Sequence, residues 1–409
     1  MVNTAAQPAI AFAQSVLVRR KRIMQMNRQN WLALLVLSPF PMSAMAGKPQ
    51  SIEVGGFEFT PTLKVGERYD DNFRTLHNGT LSSWITSLRP TFLLEAQTRK
   101  SAYQLEYAVD SETFHDHADA NHVDQKVALR SVLEFDSRNR LKWELGYKRA
   151  EETADTADPL ENDKYTLKNA LLGYSFGTQS GMNQIDVSAE YEELRYRNSG
   201  NLNEDEEHDT RAYVATWYHR LGGRTRGLFE LRRSDYDYVM PGSPRNSTGS
   251  AALIGFTRDV TAKTSGSLRV GYERKDFDSG AVSDRSSPTW EVGLAWKPRT
   301  YSTFELNMRK AFDEGDDGAS TVHTTSTRLS WTHKWSGWIS SKLDYRHAER
   351  EYLGLSRDDT LDAYGASLIY AVNRWAEVSL GYRRWHNDSN VIDERYTRNV
   401  YLLNLDLSL

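Results

Sequence analysis

The sequence contains no cysteine, so it can form neither a disulfide framework nor a cysteine-ligated metal site. Its mean hydropathy is −0.64. Beyond the N-terminal segment it has no apolar run of about 18 residues, which is the length that a membrane-spanning helix needs. A bundle of membrane helices is therefore excluded. The HExxH, Walker A, GxGxxG and GxSxG patterns are also absent, so no motif indicates a metalloprotease, a nucleotide-binding enzyme or an α/β-hydrolase.

Two kinds of polar cluster remain, and neither predicts a ligand site. His115, His117 and His122 lie in one polar segment, where such histidines are usually exposed to solvent. Arg232–Arg233 and Arg383–Arg384 are basic pairs, but adjacent residues of a strand point to opposite faces and do not build a nucleic-acid patch. We expect no catalytic residue, no metal ligand, no cofactor and no nucleic-acid partner.

The N-terminal segment has the features of a secretory signal. A basic stretch, Arg19–Arg22, precedes an apolar run from Trp31 to Leu37, and Ala44–Ala46 forms a small-x-small cleavage site. The apolar run is too short to span a membrane as a helix. We therefore predict that residues 1–46 are an N-terminal extension plus a cleaved signal peptide. Because residues 1–23 precede any ordinary signal, Met24 and Met26 are candidate translation starts beside Met1.

The rest of the chain alternates between apolar and polar residues. From about residue 57, such segments recur every 15 to 25 residues, which predicts about 18 strands (16–18). Leu141, Trp143, Leu145 and Tyr147 form one of the clearest apolar faces. An even number of strands with apolar residues toward lipid and polar residues toward the lumen is typical of an outer-membrane barrel. We predict an all-β fold in which residues 47–409 form a single transmembrane antiparallel β-barrel of the outer-membrane type.

The last strand carries the strongest form of this pattern. Its apolar face runs to the final residue and comprises Tyr401, Leu403, Leu405, Leu407 and Leu409. This face resembles the C-terminal assembly signal of bacterial barrels, although that signal usually ends in Phe. The alternative interpretation is a C-terminal strand of a soluble β-sandwich.

The connections alternate between short and long, which is typical of barrels with periplasmic turns and external loops. Short turns are predicted near residues 98–100, 136–139, 177–181, 221–224, 260–263, 297–299, 334–337 and 372–374. Long polar loops are predicted at 70–83, 114–125, 150–163, 197–210, 237–248, 276–288, 312–320, 353–360 and 386–396.

The polar faces predict a lumen lined by charges of both signs. The candidate lumen-lining residues are Glu106, Lys142, Glu144, Asp186, Glu190, Arg269, Glu273, Glu291, Glu305, Arg309, Lys342, Asp344, Arg346, Glu377 and Arg383. They could form a cross-strand lattice of ion pairs, or they could line a hydrated pathway whose mixed charge disfavours strong anion or cation selection. The two interpretations are compatible, and both suit a hydrated polymer of sugars.

One segment carries a family resemblance. Tyr69, Asp70, Asp71 and Asn72 end an early strand, and Ser87-Leu88-Arg89-Pro90 follows in the next strand. This arrangement resembles the "putative β-barrel porin 2" family over about residues 50–409. The resemblance implies an outer-membrane barrel of an exopolysaccharide operon, with no known catalytic residue. It also implies transport of a polysaccharide together with a periplasmic polysaccharide-export protein. Asp and Asn form turns readily, so we expect Tyr69 and Asn72 to stabilise the first external loop.

The sequence leaves three functions open. The first is translocation of a secreted exopolysaccharide from the periplasm to the cell surface. The second is a passive diffusion porin for small hydrophilic solutes, which would conduct ions without partners. The third is an outer-membrane enzyme or a surface anchor. In each case we expect contact with outer-membrane lipid, including lipopolysaccharide, and insertion by the barrel-assembly machinery.

Overall fold

A computed structural model of the chain describes residues 51–408 except 155, 157, 159, 179, 180, 262 and 316–318. The predicted signal peptide, the candidate translation starts and Leu409 lie outside these residues. No helix of the described part is long and apolar enough to cross a membrane.

The described residues form 19 strands and four short 3-10 helices. The strands are β1 (Ile52–Val54), β2 (Phe57–Asp70), β3 (Ser83–Gln97), β4 (Ser101–Phe114), β5 (His122–Glu134), β6 (Asn139–Glu152), β7 (Asp163–Phe176), β8 (Asn183–Tyr196), β9 (His208–Gly222), β10 (Thr225–Tyr238), β11 (Ser247–Thr261), β12 (Thr264–Phe277), β13 (Arg285–Arg299), β14 (Ser302–Glu314), β15 (Thr321–Lys334), β16 (Ile339–Leu353), β17 (Arg357–Asn373), β18 (Ala376–Ser389) and β19 (Tyr396–Ser408). The 3-10 helices are Ala118–Ala120, Ser199–Asn201, Glu204–Glu206 and Ile392–Glu394.

Strands β2 to β19 form a closed antiparallel barrel of 18 strands. Each strand pairs with its neighbours in the sequence, and β19 closes the cylinder by pairing with β2 from Thr62–Ser408 to Asp70–Val400. The predicted fold class is therefore confirmed. The sequence pattern did not predict the short β1, which pairs with Phe57–Phe59 of β2 beyond the end of β19.

Tight turns lie at one end of the barrel and longer loops at the other, as predicted. The loops are shorter than expected because the strands continue past the apolar belt. The clearest difference is the join predicted at 353–360, where β16 and β17 leave only residues 354–356 between them. Glu351 pairs with Asp358 there in a regular ladder. Both side chains are charged. The outward face therefore lacks the apolar residues from which a strand is predicted, although the backbone pairing continues.

The apolar side chains point outward. Leu145, Tyr401 and Leu403 are 52%, 55% and 52% exposed, as is typical of the lipid-facing residues of a barrel. The buried apolar clusters lie instead at the loop end of the barrel. One contains Phe73, Ile85, Phe114 and Ala120, and others surround Tyr165 and Tyr352. These clusters fix the loops over the mouth of the lumen.

Candidate functional site: the lumen and the seam of the barrel

The inner wall is a lattice of ion pairs that crosses several strands. On β2 to β4, Arg68 binds both oxygens of Glu112 at 2.8 and 2.6 Å. Arg89 binds Asp110 at 2.6 Å and the same Glu112 at 3.0 Å. Hydrogen bonds between charged groups are stronger than those between neutral groups, and the two-point geometry adds directional specificity. The lattice therefore helps to hold neighbouring strands in register.

A second part of the lattice lies on β10, β12 and β13. Arg232 reaches across the lumen wall to Glu291 at 2.6 and 3.1 Å and also binds Glu230 at 2.5 Å. Arg269 lies 3.4 Å from Glu230 and 3.8 Å from Glu291. Thr216 donates a further hydrogen bond to Glu230 at 2.9 Å. Both carboxylates therefore have cationic partners, and the wall is polar without being strongly charged at this point.

The predicted lumen-lining residues lie on the strand faces opposite the exposed apolar side chains. In β4, for example, Glu106 alternates with the exposed Leu105 and Tyr107. It accepts hydrogen bonds from Lys126 and Arg130, both at 2.9 Å. The other residues of this set are Lys142, Glu144, Asp186, Glu190, Arg269, Glu273, Glu291, Glu305, Arg309, Lys342, Asp344, Arg346, Glu377 and Arg383.

Several of these residues have a defined partner. Arg130 also lies 3.4 Å from Glu144, Arg309 donates to Asp313 at 2.8 Å, and Lys342 lies 3.1 Å from Asp344. The alkyl chain of Lys142 occupies the space above Gly173, where a Cβ would lie 2.4 Å from the lysine Cε. Glu273 accepts a hydrogen bond from the backbone N–H of Phe312 at 2.6 Å.

The external loops fold over one side of the mouth. Phe73, in the loop between β2 and β3, is 1% exposed, and its ring centroid lies 4.9 Å from that of Phe114. The next residue, Arg74, donates to the backbone oxygens of Thr153 at 3.1 Å and Glu161 at 3.3 Å. Burial lowers the pKa of the Arg74 guanidinium, and the charge of Asp119 opposes this shift. The first and third external loops are therefore joined through a buried cation.

A second buried arginine joins two further loops. Arg245 binds Glu206 at 2.6 Å and Asp205 at 3.0 Å, and its guanidinium lies 5.4 Å from the ring centroid of Tyr238. Burial acts to lower the pKa of Arg245, but the charge of Glu206 and its other partners outweigh burial, so the pKa lies above its ordinary value. The loops between β8 and β9 and between β10 and β11 are held together in this way.

The segment that carries the family resemblance fastens the first barrel strand to the last. The carboxylate of Asp70 is fully buried and accepts hydrogen bonds from Arg398 Nε, at 3.0 Å to each oxygen. Asp71 accepts the backbone N–H of Asn399 at 2.6 Å and its side-chain amide at 2.7 Å. These contacts lie at the loop end of the barrel, where β2 ends at Asp70 and β19 begins at Tyr396. They form a side-chain latch, hereafter the seam latch, at the external end of the β2–β19 seam.

Asn72 connects the seam latch to the first external loop. Its side-chain oxygen accepts the backbone N–H of Leu76 at 2.9 Å, and its amide donates to the backbone oxygens of Leu76 at 2.9 Å and Thr397 at 3.0 Å. Tyr69 faces outward opposite Tyr401, with its ring centroid 5.4 Å from that of Trp84. Asn72 therefore contacts both the first external loop and β19, whereas Tyr69 lies on the outward face of β2.

The predicted assembly signal lies along the outside of the same seam. Tyr401, Leu403, Leu405 and Leu407 alternate with inward residues of β19, and Leu405 and Leu407 pair with Val65 and Leu63 of β2. The fifth residue of the signal, Leu409, is outside the described residues. The placement puts an apolar stripe where the closing strand meets lipid.

Several charged residues of the lattice were not predicted. Arg68, Arg89, Arg130, Arg232 and Arg398 all contribute to it. Each occupies an inward, polar position of its strand, so the alternation of apolar and polar residues would have been sufficient to place it in the lumen. In the part of the chain that the structure describes, no three His, Asp or Glu side chains converge on a possible metal site.

Comparisons with known proteins agree with this architecture. The family described as "Putative beta-barrel porin 2" matches residues 45–409. Among curated proteins, none matches the sequence. Pseudomonas aeruginosa OccK2 (OpdF) is similar in structure, with a TM-score of 0.51 and 13% identity over 86% of this chain and 98% of that one.

Two other solved structures show weaker likeness. A BenF-like porin from Pseudomonas fluorescens Pf-5 has a TM-score of 0.49 and 10% identity, covering 86% of this chain and 99% of that one. The FrpB iron transporter from Neisseria meningitidis (F3-3 variant) has a TM-score of 0.45 and 10% identity; the match covers 81% of this chain and 62% of that transporter. The likeness to OccK2 supports the fold alone, whereas the family match covers the whole barrel. The chain is a porin-like outer-membrane β-barrel and belongs to the "Putative beta-barrel porin 2" family.

Proposed function

We propose that this barrel carries a secreted polysaccharide from the periplasm to the cell surface. The observation that carries the proposal is the inner wall, where ion pairs and hydroxyl groups extend over many strands of the cylinder. The family resemblance of the Tyr69–Asn72 segment, with the export role that it implies, supports the same conclusion. We infer that the protein acts as a conduit rather than as an enzyme.

A wall of this kind suits a chain of sugars on physical grounds. Hydroxyl groups exchange hydrogen bonds with water for hydrogen bonds with the wall at a net gain of only about 0.5–1.5 kcal/mol each. Most wall charges already have partners, as Glu106 does with Lys126 and Arg130. Conduction requires binding that is strong enough for entry and weak enough for release. A paired, hydrated lattice meets both conditions for a hydrated polymer of sugars.

The proposal includes partners at both ends of the barrel. The turn end would receive the polymer from a periplasmic polysaccharide-export protein, after delivery of the barrel through its signal peptide and the barrel-assembly machinery. On the outer surface near the loops, Lys168, Arg233 and Arg274 have side chains that are 54%, 61% and 59% exposed. Each cation has a carboxylate neighbour, and we propose that phosphates of lipopolysaccharide also contact these cations.

A clean deletion in the native host tests the proposal. Polysaccharide is measured separately in the medium and in the periplasm of the wild type, the deletion strain and the strain complemented with the full chain. We expect the deletion to abolish secretion and to cause periplasmic accumulation, with both effects reversed by complementation. Unchanged secretion would refute export. It would favour the passive porin, which single-channel conductance and small-solute uptake would then establish.

A further inference from the structure

We propose that the lumen contains a recognition site for an acidic sugar residue, formed by Trp385, Arg383 and Arg346 on the wall of β16 to β18. This inference rests on the proposed function, because it names the class of polymer that the conduit would carry. It predicts that the polymer contains carboxylated sugars rather than only neutral ones.

The first observation is the position of Trp385. In the part of the chain that the structure describes, it is the one strand tryptophan that faces the lumen, opposite Ala363 and Arg398. The others lie on outward faces or in turns of the turn end, and they are Trp84, Trp143, Trp217, Trp290, Trp296, Trp331, Trp335, Trp338 and Trp375. Anchoring in the membrane interface explains those outward rings but not Trp385. An indole with a half-buried apolar face in a polar lumen offers a stacking surface for the C–H face of a sugar ring.

Arg398 fixes the orientation of this ring. Its guanidinium lies 5.4 Å from the Trp385 ring centroid while it is bound to Asp70 of the seam latch. The cation is thus held in place by a buried carboxylate and lies against the indole. Trp385 is therefore positioned before any ligand arrives, which lowers the entropic cost of binding.

The second observation is a cation without a carboxylate partner. Arg383 lies on the same face as Trp385, two residues earlier, and its side chain is exposed to the lumen. Among the described residues it makes no hydrogen bond or ion pair, and the residues opposite it in the sheet are Gly365 and Val400. A Cβ at Gly365 would lie 3.6 Å from Asp344 Cβ and 3.7 Å from Arg383 Cγ, so the side chains of Asp344 and Arg383 flank the glycine from its two neighbouring strands. A planar guanidinium that has no carboxylate partner in the protein can bind a carboxylate of a ligand by two parallel hydrogen bonds.

The third observation is the cavity that these residues border. It has a volume of about 490 Å³, and its lining includes Arg346, Arg383, Trp385 and Asn404. This volume lies within the range of about 300–1,000 Å³ that is usual for small-ligand sites. The cavity would hold one sugar unit against the wall, and the rest of the polymer would extend along the lumen.

Carboxylates also border the cavity, and they do not cancel this cationic wall. Glu112 and Asp110 are bound by Arg68 and Arg89 on the β2 to β4 side. Glu394 lies 2.9 Å from Arg357. The remaining acidic residues of the lining are Glu67, Asp124, Glu151 and Glu152. Most carboxylates of the lining therefore lie on β4 to β6, whereas Arg383 on β18 has no carboxylate partner among the described residues.

Current blockade in planar bilayers tests the site directly. The purified full-length barrel is exposed to a trimer of galacturonate and, separately, to the neutral maltotriose at equal concentration. We expect the acidic trimer to block the current for measurably longer times than the neutral one. Arg383→Gln and Trp385→Ala should each shorten the blockades by about tenfold, which corresponds to 1.4 kcal/mol. Trp385→Phe should retain most of the blockade time because it keeps an aromatic ring.

Matched controls are provided by neighbouring residues. Arg384→Gln removes an exposed arginine from the outward face of the same strand, and Trp375→Ala removes a tryptophan from a turn. Both should leave the blockades unchanged, and the mobility of unboiled protein on a gel confirms that each variant is folded. Equal blockade by both trimers, or no effect of Arg383→Gln and Trp385→Ala in folded channels, would overturn the site. Either result leaves export itself intact, because export is judged by the secretion of the deletion strain.

Discussion

Removal of the Asp70 carboxylate should open the β2–β19 seam at its external end. Asp70→Ala deletes the hydrogen bonds from Arg398 and from the backbone N–H of Asn72, which lies 3.2 Å from the carboxylate. Asp70 is 0% exposed, and the Arg398 side chain is 15% exposed. The substitution therefore leaves a largely buried guanidinium without its carboxylate.

The expected loss of stability follows from this burial. Removing one partner of a buried ion pair costs about 3–5 kcal/mol, because the other charge is left uncompensated. Arg398 borders a hydrated lumen and keeps its contact with Trp385, so we expect a loss near the lower limit, about 3 kcal/mol.

The same seam provides a matched control. Lys64 and Asp406 form an ion pair of 3.1 Å between the same two strands, but their side chains are 39% and 40% exposed. Asp406→Ala should therefore cost less than about 1 kcal/mol, as exposed pairs do. Both variants are refolded into detergent micelles and titrated with urea, with the folded fraction measured by the gel mobility of unboiled protein.

A double-mutant cycle isolates the interaction between Asp70 and Arg398. We expect Asp70→Ala and Arg398→Ala to be coupled by at least about 1.5 kcal/mol, within the range for residues in one ion-pair network. A coupling energy near zero, or equal destabilisation by Asp70→Ala and Asp406→Ala, would refute the seam latch as a stabilising device.

Three further predictions concern the lipid face and the mouth. Leu403→Asp should lower the amount of barrel in the outer-membrane fraction, because a charge on the lipid face is destabilising, by about 2–4 kcal/mol for Arg or Lys at the midplane and by less for Asp. Asn404→Asp, on the lumen face, should not lower it, and equal losses would contradict the assigned faces. Phe73→Ala should detach the first external loop from the mouth and raise single-channel conductance, and an unchanged conductance would show that this loop does not restrict the pore. Asn72→Ala should speed proteolysis within residues 71–82, measured by mass spectrometry of limited digests, and unchanged digestion would contradict its role as a loop anchor.

The barrel itself could be predicted from sequence because lipid imposes a period of two on every strand. The apolar stripe of β19 and the alternating turn lengths were sufficient to identify closure and strand number. The alternation is weaker in β9 to β11 because small residues occupy some positions that carry large apolar residues in other strands. Ala215 and Ala252 occupy outward positions, and Gly255 lies so close to β12 that a Cβ would be 2.0 Å from the backbone oxygen of Leu268.

The partners within the lumen could not be predicted from the pattern. Arg232 binds Glu291 on a strand three positions away in the barrel, and Asp70 binds Arg398 across 328 residues. Such pairs depend on the curvature of the wall and on closure, which alternation does not specify. Alternation predicts charges of both signs in the lumen, but it does not say how they are distributed around the wall. Ordering them around the cylinder separates Arg383 from the carboxylates of β4 to β6.

Photocrosslinking from the lumen shows whether the polymer passes through the barrel. A photoreactive phenylalanine derivative is placed at Ser367, which faces inward on β17, or at the adjacent Leu368, which is 52% exposed on the outward face. Cells that secrete polysaccharide are irradiated, and the purified barrel is analysed for covalently attached sugar. We expect sugar to be attached at position 367 and not at position 368. Equal attachment at both positions, or none at position 367 in a strain that secretes normally, would contradict passage of the polymer through the barrel.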